Sequence, residues 1–389
     1  MMSEQLEIGQ LCLKCMQMIP DGQDVCPYCG STNSSLKPEQ HHLPPYTILQ
    51  GRYLIGVRIG EGGFGITYSA FDLFEKRRVA IKEQMIVGVV VRQGINLVQE
   101  NPTEEEREYY LECQEKFLQE AKALQDLKEK NGVVDILNSF QENGTSYIVM
   151  EYLDGKDLKD YLAEKGGKIS FVETYRLLTP VMRSLREIHR VGIIHRDISP
   201  GNIRYMSDDK MKILDFGSVK YTVENRLSHV PLVKHGYSPK EQYASGYMVG
   251  PWMDVYAMAA TIYRCITGKK LKDARKRIDE TDLELPSLYC DDITAEAEKV
   301  LLKGLAPEVD DRYRDMNDFY GALKEAYNQS DHGPGPGGTE QAIDNGYREL
   351  ISALNEKEDV WRSRRVIAFG LVAEAALIAA KLAGVGFFG

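Results

Sequence analysis

The polar side chains of one stretch, residues 194–217, constrain the fold of this chain more than any other feature. Asp197 is followed five residues later by Asn202, and Asp215 begins the tripeptide Asp-Phe-Gly after an apolar run. The order of polar and apolar residues predicts a tight loop, a short strand over 203–206, a turn and a second strand. This hairpin would bring the loop with Asp197 beside the end of the strand with Asp215.

Two carboxylates and an amide in one place are suited to holding Mg²⁺ on a polyphosphate while one carboxylate orients a hydroxyl group. The alternative is an acidic surface hairpin. The tripeptide His-Arg-Asp at 195–197, the spaced Asn202 and the later Asp-Phe-Gly together disfavour that alternative. At these residues the chain resembles a protein kinase. The resemblance implies that Asp197 is the catalytic carboxylate and that Asn202 and Asp215 bind Mg²⁺.

A glycine-rich stretch precedes this region in the order that the kinase family shows. The glycines are Gly60, Gly62, Gly63 and Gly65. Strand residues, not a helix, follow them, which favours a hairpin over phosphates and disfavours a dinucleotide-binding turn. The next predicted strand ends in Val-Ala-Ile-Lys, so the resemblance implies that Lys82 contacts the α- and β-phosphates of ATP.

Lys82 at the end of an apolar strand requires an acidic partner. A helix is predicted to begin after Thr103, which would cap a first turn of three glutamates. Glu120 lies beside the apolar stripe of this helix and is the preferred partner. Glu112 and Glu115 are competing candidates.

The resemblance also assigns contacts to the adenosine part of ATP. The strand that ends at Met150 would place this side chain behind the adenine. Glu151 and Leu153 belong to the hinge, whose backbone would bind the adenine, and Asp157 occupies the ribose position. Asp157 is also suited to the N-cap of a helix, and both roles are compatible.

Three further residues extend the resemblance through the C-terminal half of the region. Glu241 lies in a degenerate Ala-Pro-Glu motif, Arg312 is its expected partner, and Asp254 matches a buried aspartate that holds the catalytic loop. The resemblance therefore implies an α+β, bilobal protein-kinase fold over residues 49–328, with a small β-rich lobe and a large helical lobe. The role of residues 83–100 stays open.

Two residues depart from the pattern of serine/threonine kinases. Ser199 stands where a lysine is usual, and Lys234 stands where a threonine is usual. We predict that Lys234 replaces the missing positive charge beside Asp197. The alternative is a solvated surface lysine.

Arg196 is predicted to bind a phosphate that autophosphorylation adds to the activation segment. The candidate acceptors in this segment are Ser218, Thr222 and Ser228.

Four cysteines near the N-terminus form two C-x2-C pairs: Cys12, Cys15, Cys26 and Cys29. This spacing predicts a structural Zn²⁺ ribbon over residues 10–31, followed by a linker over 32–48. A disulfide is the alternative. The first residues lack a signal peptide, which favours a cytoplasmic location and reduced thiols. His41 and His42 are interpreted as linker residues rather than additional ligands.

The C-terminal part of the chain differs in composition from the kinase-like region. Residues 329–340 predict a flexible linker, and residues 341–365 a polar helix. Residues 366–388 are apolar and long enough for a transmembrane helix, although they include two charged residues. We predict membrane anchoring of a cytoplasmic kinase domain. The alternative is a helix that packs on a partner.

The combined pattern resembles the bacterial eukaryotic-like (Hanks-type) serine/threonine protein kinases, here with an N-terminal zinc ribbon and a C-terminal helical tail. The resemblance implies transfer of phosphate from ATP to protein substrates with Mg²⁺. A pseudokinase-like scaffold and a small-molecule phosphotransferase are the alternatives. The net charge of −10 argues against nucleic acid as a partner. A homodimer is a further partner class.

Overall fold

A sheet of six antiparallel strands forms the small lobe in the computed structural model, which describes residues 8–35, 39–63, 65–127, 131–207, 209–214, 233–243, 249–276 and 283–329. The strands are β1 (Ile48–Leu49), β2 (Tyr53–Gly62), β3 (Gly65–Asp72), β4 (Arg77–Gln84), β7 (Ile136–Glu142) and β8 (Thr145–Glu151). Their spatial order is β1-β2-β3-β4-β8-β7.

The alternation of side chains along β4 separates two cores. Val79 and Ile81 are fully buried in the core of the small lobe, and Ala80 packs in the large core that continues into the helical lobe. Because successive strand residues point to opposite faces, Lys82 shares the face of Ala80. The sequence period of β4 therefore directs Lys82 toward the cleft between the lobes.

Helix α1 (Glu104–Gln125) begins at the predicted cap. The hydroxyl of Thr103 accepts a hydrogen bond from the Glu106 backbone N–H at 3.2 Å, and the Glu106 carboxylate accepts one from the Thr103 N–H at 2.8 Å. This reciprocal capping box satisfies two backbone donors that the helix itself leaves unpaired. The buried face, which includes Phe117, Ala121 and Leu124, packs against β7 and β8.

The segment with no predicted role, residues 83–100, forms a small hairpin of β5 (Val91–Gln93) and β6 (Asn96–Val98). It brings Arg92 to Glu83 at 2.5 Å, with both side chains almost completely buried. The hydroxyls of Tyr68 and Tyr147 donate to the same carboxylate at 3.0 and 2.7 Å. Burial raises the pKa of Glu83, and these contacts oppose that rise. Through Arg92, this hairpin thus helps to fix the backbone at Glu83, next to Lys82.

The large lobe is mainly helical and also contains a three-stranded sheet. Its helices are α2 (Leu158–Glu164), α3 (Phe171–Arg190), α4 (Trp252–Thr267), α5 (Ala295–Gly304) and α6 (Met316–Asn328). Its strands are β9 (Lys156–Asp157), β10 (Ile203–Tyr205) and β11 (Met211–Ile213), in the order β11-β10-β9. The predicted hairpin after the catalytic loop is therefore present as β10 and β11.

A buried ion pair joins Glu241 to Arg312 as the sequence suggested. Two guanidinium N–H groups donate to the two carboxylate oxygens at 2.6 and 3.0 Å, and both side chains are inaccessible to solvent. Arg312 also donates to the backbone carbonyls of Ala306 and Pro307. Every charge of the pair is thus compensated by close hydrogen bonds, which a buried ion pair requires.

The N-terminal cysteine region consists of two tight turns, closed by single bridges between Leu11 and Met18 and between Val25 and Thr32. It belongs to the same compact unit as the two lobes. Residues 39–48, predicted as a linker, pack on the small lobe, with Leu43 buried.

The predicted bilobal α+β fold is confirmed over the described residues. The predicted C-terminal helical tail, with the predicted polar helix at 341–365 and the predicted membrane span at 366–388, lies outside them. Among the residues that the structure describes, no helix has the length and apolar character needed to span a bilayer.

Candidate active site

The catalytic loop is held by one buried carboxylate, that of Asp254 at the start of α4. It accepts hydrogen bonds from the backbone N–H groups of His195 at 2.8 Å and Arg196 at 2.7 Å, and from Nε2 of His189 at 2.9 Å. Burial opposes ionisation, but the bond from His189 and the further contacts outweigh it and lower the pKa of Asp254. An ionised carboxylate with three donors fixes the loop just before Asp197.

Arg196 adopts a left-handed backbone conformation, with φ of 63°. Such a conformation is costly for a residue with a side chain and persists only where its surroundings enforce it. Asp254 binds the N–H of Arg196, and the amide of Gln242 donates to its carbonyl at 3.0 Å. These two contacts hold the peptide units on both sides of Arg196 and so direct the next residue, Asp197, into the cleft.

Asn202 lies beside Asp197, as the five-residue spacing predicted. Its amide donates to the Asp197 backbone carbonyl at 2.8 Å and to the carboxylate oxygen Oδ2 at 2.6 Å. The amide oxygen of Asn202 is thereby directed away from Asp197. The side chain orients the carboxylate while keeping one oxygen available for a cation.

Lys234 reaches the second carboxylate oxygen of Asp197. Its Nζ lies 3.0 Å from Oδ1, and the side chains of Lys234 and Asp197 are 38% and 26% exposed. A tight turn holds the lysine, because the N–H groups of Tyr237 and Ser238 both donate to the Lys234 carbonyl at 2.9 Å. The predicted contact is present, while its catalytic role remains a hypothesis.

Asp215, the predicted second ligand of Mg²⁺, lies outside the described residues, as do the candidate phosphorylation sites Ser218, Thr222 and Ser228. Leu214, which precedes Asp215, is held by hydrogen bonds to both its N–H group and its carbonyl group. Its N–H donates to the Asn202 carbonyl at 2.7 Å, and its carbonyl is 2.9 Å from Nε2 of His195. The end of the β11 segment is therefore attached directly to the catalytic loop.

Lys82 and Glu120, both on the small lobe, interact electrostatically. Burial lowers the pKa of Lys82 to about 7, and the negative charges of Asp197 and Glu120 oppose this shift. Burial raises the pKa of Glu120 to about 8, and the cations Arg196, Lys116 and Lys82 oppose it. Lys82 is therefore within electrostatic range of the preferred helix partner and of the catalytic carboxylate, in a site where an added anion would stabilise its charge.

The glycine-rich stretch is the turn of the β2–β3 hairpin, with Gly62 paired to Gly65. Gly60, Gly62 and Gly63 are partly or fully exposed at its tip. Gly65 is packed closely, since a Cβ there would lie 2.4 Å from the carbonyl oxygen of Glu83. The predicted hairpin geometry is present, and Gly65 permits the close approach of β3 to β4.

The histidines of the predicted linker contact this same hairpin. Nε2 of His41 lies 2.8 Å from one carboxylate oxygen of Glu61, and Nε2 of His42 lies 3.2 Å from the other. Glu39 with these histidines also forms a cluster with metal-ligand spacing. The contacts with Glu61 were not evident from the sequence, because only the fold brings residues 41 and 61 together.

The hinge residues connect β8 to the large lobe. Met150 is buried in the core between the lobes, and Leu153 is 7% exposed. The Glu151 carboxylate accepts from the Asp135 N–H at 2.8 Å and binds Lys212 of β11. Asp157 caps α2, accepting from the Asp160 N–H at 2.7 Å, which is the capping role that the sequence allowed.

The four N-terminal cysteines converge as free thiols, and their sulfur atoms all lie within 4.8 Å of one another. Two Sγ–Sγ distances are 3.5 Å, for Cys12 and Cys29, and 3.6 Å, for Cys15 and Cys26. Four sulfurs at about 2.3 Å from a tetrahedral Zn²⁺ would be about 3.8 Å apart. The arrangement fits one such ion, since it has four soft ligands, the right separations and no disulfide.

Several residues that shape the site were missed by the sequence interpretation. They are His189, which binds Asp254, Gln242, which binds the carbonyl of Arg196, and Lys212, which binds the hinge. His189 lies in the last turn of α3, and nothing in the sequence indicates that Asp254 is its partner. Their contacts depend on the packing of distant elements.

Comparison with known proteins agrees with this geometry. Residues 53–313 match the family model of the protein kinase domain. The chain is 30% identical over 292 residues to a probable serine/threonine-protein kinase of Clostridium acetobutylicum, over 72% of this chain and 41% of that protein. It is 27% identical over 288 residues to serine/threonine-protein kinase PrkC of Bacillus subtilis, over 72% and 41% of the two chains.

A solved structure, "PpkA-294 apo form", resembles this one with a TM-score of 0.60 and 29% identity, over 73% of this chain and 99% of that chain. The chain spans less than half the length of these two curated relatives. The predicted resemblance to bacterial serine/threonine kinases is confirmed, and the chain belongs to the protein kinase family.

Proposed function

We propose that this chain is an ATP-dependent serine/threonine protein kinase. The observation that carries the proposal is the arrangement around Asp197, where Asn202 orients the carboxylate and Lys234 supplies a cation at 3.0 Å. Lys82 lies across the cleft, within electrostatic reach of the same carboxylate. These groups are suited to positioning a hydroxyl and a phosphate and to neutralising charge that develops between them.

In the proposed reaction the substrate hydroxyl oxygen attacks the γ-phosphorus of ATP, and the bond to the bridging oxygen breaks. Asp197 orients the hydroxyl and accepts its proton. Lys82 contacts the α- and β-phosphates, the backbone of Gly60, Gly62, Gly63 and Gly65 covers them, and Glu120 balances the lysine charge. Mg²⁺, held by Asn202 and Asp215, would shield the phosphate charge when it is bound.

The adenosine part of ATP would lie against the hinge. The backbone of Glu151 and Leu153 would bind the adenine, and Asp157 would contact the ribose while it caps α2. A protein substrate is favoured over a small molecule because Glu241 and Arg312 form the buried pair that supports an activation segment. The family match and the bacterial relatives support this substrate class.

The two ends of the chain would bind a metal and a membrane. The domain organisation is a ribbon (10–31) with bound Zn²⁺, a kinase domain (49–328) and a tail whose apolar segment (366–388) anchors a cytoplasmic kinase in the membrane. A second copy of the chain is a further partner.

Membrane fractionation of the whole chain, with and without residues 366–388, tests the membrane anchor. The whole chain should be found in the membrane fraction and the truncated chain should not. An equal distribution of the two forms would exclude the anchor.

The proposal predicts incorporation of labelled phosphate from ATP into serine and threonine of generic protein substrates. Lys82→Met and Asp215→Asn should each abolish transfer, because both act on phosphate and metal, while circular dichroism shows an intact fold. Mass spectrometry of the same reaction tests autophosphorylation at Ser218, Thr222 or Ser228. Transfer that survives in the double variant would contradict the catalytic assignment, and an inactive wild type would favour a scaffold.

Lys234→Ala should lower the turnover number by roughly one to two orders of magnitude, or about 1.4–3 kcal/mol. The Michaelis constant for ATP should change little, because the ammonium acts mainly on charge in the transition state. Ser199→Lys in the same chain should recover part of the loss. Lys240→Ala is the control, since Lys240 lies on the same segment but binds Glu308. Wild-type turnover in Lys234→Ala would refute the role.

Nucleotide binding should be accompanied by proton uptake at Lys82. Burial lowers the pKa of this lysine to about 7, so it is largely neutral at pH 8, and bound phosphate would restore its charge. The restored charge on Lys82 would lower the pKa of Glu120. Glu120 would then release part of a proton, which would offset the uptake at Lys82.

Calorimetry at pH 8, in two buffers with different ionisation enthalpies, measures this uptake. Lys82→Met should remove the uptake, and Glu120→Gln should remove the offset. Equal heats for the wild type in both buffers, together with equal heats for Glu120→Gln, would exclude the predicted protonation.

A further inference from the structure

The first cysteine turn is built into the surface of the small lobe. The carbonyl oxygen of Leu13 accepts hydrogen bonds from the backbone N–H of Val57 at 3.0 Å and from the hydroxyl of Ser69 at 2.7 Å. Ser69 is completely buried. A backbone carbonyl of the ribbon thus takes part in the hydrogen bonding of β2 and β3, as a neighbouring strand would.

Gly56 on β2 makes this contact sterically possible. A Cβ atom at that position would lie 2.1 Å from the Leu13 carbonyl oxygen and 2.2 Å from the terminal methyl of Met16. Such separations cannot occur without displacing the backbone of the ribbon. Leu11 and Met16 add apolar contacts there, in a buried cluster with Leu54 and Phe71 of the small lobe.

A second contact leads from the same turn to the hinge. Nη1 of Arg78 donates to the carbonyl oxygen of Cys15 at 3.4 Å and to the carboxylate of Asp154 at 2.9 Å. Its guanidinium also lies over the ring of Tyr152, 5.0 Å from the centroid. Tyr152 lies between the two proposed adenine-binding residues, and Asp154 directly follows them. Arg78 therefore connects the cysteine turn with the hinge.

The position of the Cys15 carbonyl depends on the conformation of the turn. The turn is closed by hydrogen bonds from the Met16 N–H to the Cys12 carbonyl at 2.7 Å and from the Cys12 N–H to the Gln17 carbonyl at 2.9 Å. Leu11 and Met16 anchor the first turn on the small lobe, whereas the core shared by the two turns consists of Cys12, Ile19 and Cys26 with the partly buried Cys15 and Cys29. A metal bound by both turns would therefore add to the contacts that hold this carbonyl in place.

We propose that Arg78 is a positioning residue through which the metal-loaded ribbon sets the conformation of the hinge and thereby the affinity for the adenine nucleotide. The inference rests on the proposed ATP-dependent function. Arg78 is only partly buried, and its carboxylate partner is 64% exposed. Exposed ion pairs contribute modestly. The expected change in the dissociation constant is therefore roughly three- to tenfold, or about 0.6–1.4 kcal/mol.

The test measures the dissociation constant of a non-hydrolysable Mg-ATP analogue and the zinc content for the whole chain. Arg78→Gln should weaken nucleotide binding roughly three- to tenfold, keep one zinc per chain and leave the turnover number unchanged. Arg77→Gln is the matched control, because Arg77 is exposed and adjacent residues on β4 point to opposite faces. It should bind nucleotide as the wild type does.

Cys26→Ser with Cys29→Ser removes metal ligands from the second turn and leaves the first turn intact in sequence. This variant should lose zinc and weaken nucleotide binding by the same factor as Arg78→Gln. Combining it with Arg78→Gln should add little, because both changes interrupt one connection. If the cysteine variant does not fold, Asp154→Asn replaces it, with the same expected loss of affinity and full zinc content.

Unchanged nucleotide affinity in Arg78→Gln would overturn the proposal, and so would effects that multiply in the combined variant. A zinc-free chain with wild-type affinity would do the same. A wild-type chain that binds no nucleotide would instead overturn the proposed function together with this inference. The two failures are therefore distinguishable by the wild-type measurement.

Discussion

The carboxylate of Asp254 is the interaction on which the arrangement of the catalytic loop depends. It is buried below the loop and binds two successive backbone N–H groups, those of His195 and Arg196. Without these bonds, only the bond from Gln242 to the Arg196 carbonyl would oppose the strain of the left-handed conformation. The position of Asp197, and hence its contacts with Asn202 and Lys234, follows from this one anchored peptide.

Buried polar contacts also hold the backbone in the small lobe. Glu83, Arg92 and two tyrosine hydroxyls form a buried network next to Lys82. Because Lys82 follows the strand geometry of β4, a fixed backbone at Glu83 also fixes the starting point of the lysine side chain. Lys82 and Asp197 are thus each preceded or followed by a backbone position that buried polar contacts hold, an arrangement that favours preorganisation for phosphotransfer.

The sequence predicted those parts of the site that depend on local spacing. Asn202 beside Asp197, the helix cap at Thr103 and the glycine hairpin are each determined by residues close together in the chain. The contact between Lys234 and Asp197 could also be predicted, because a missing lysine at Ser199 left a charge to be replaced. Motif order was sufficient for the bilobal fold.

The contacts that the sequence did not reveal join segments far apart in the chain. Arg92 gives no indication of its buried partner, and the histidines at 41 and 42 give none of their contact with Glu61. Gly56 is an example, because a side chain there is excluded by the Leu13 carbonyl, which lies close to it only in the folded chain. Charge and periodicity describe single elements, whereas these contacts require the relative placement of several.

The most direct test of this account is the turnover number of Asp254→Asn, compared with Asp292→Asn. The Asp292 carboxylate also accepts two backbone N–H bonds, from Phe171 and Val172, but far from Asp197 in the chain. An amide at position 254 cannot accept all three bonds, so turnover should fall at least tenfold with nucleotide affinity changed by less than about threefold. The control should keep wild-type turnover. Full turnover in folded Asp254→Asn would contradict the central role of this carboxylate.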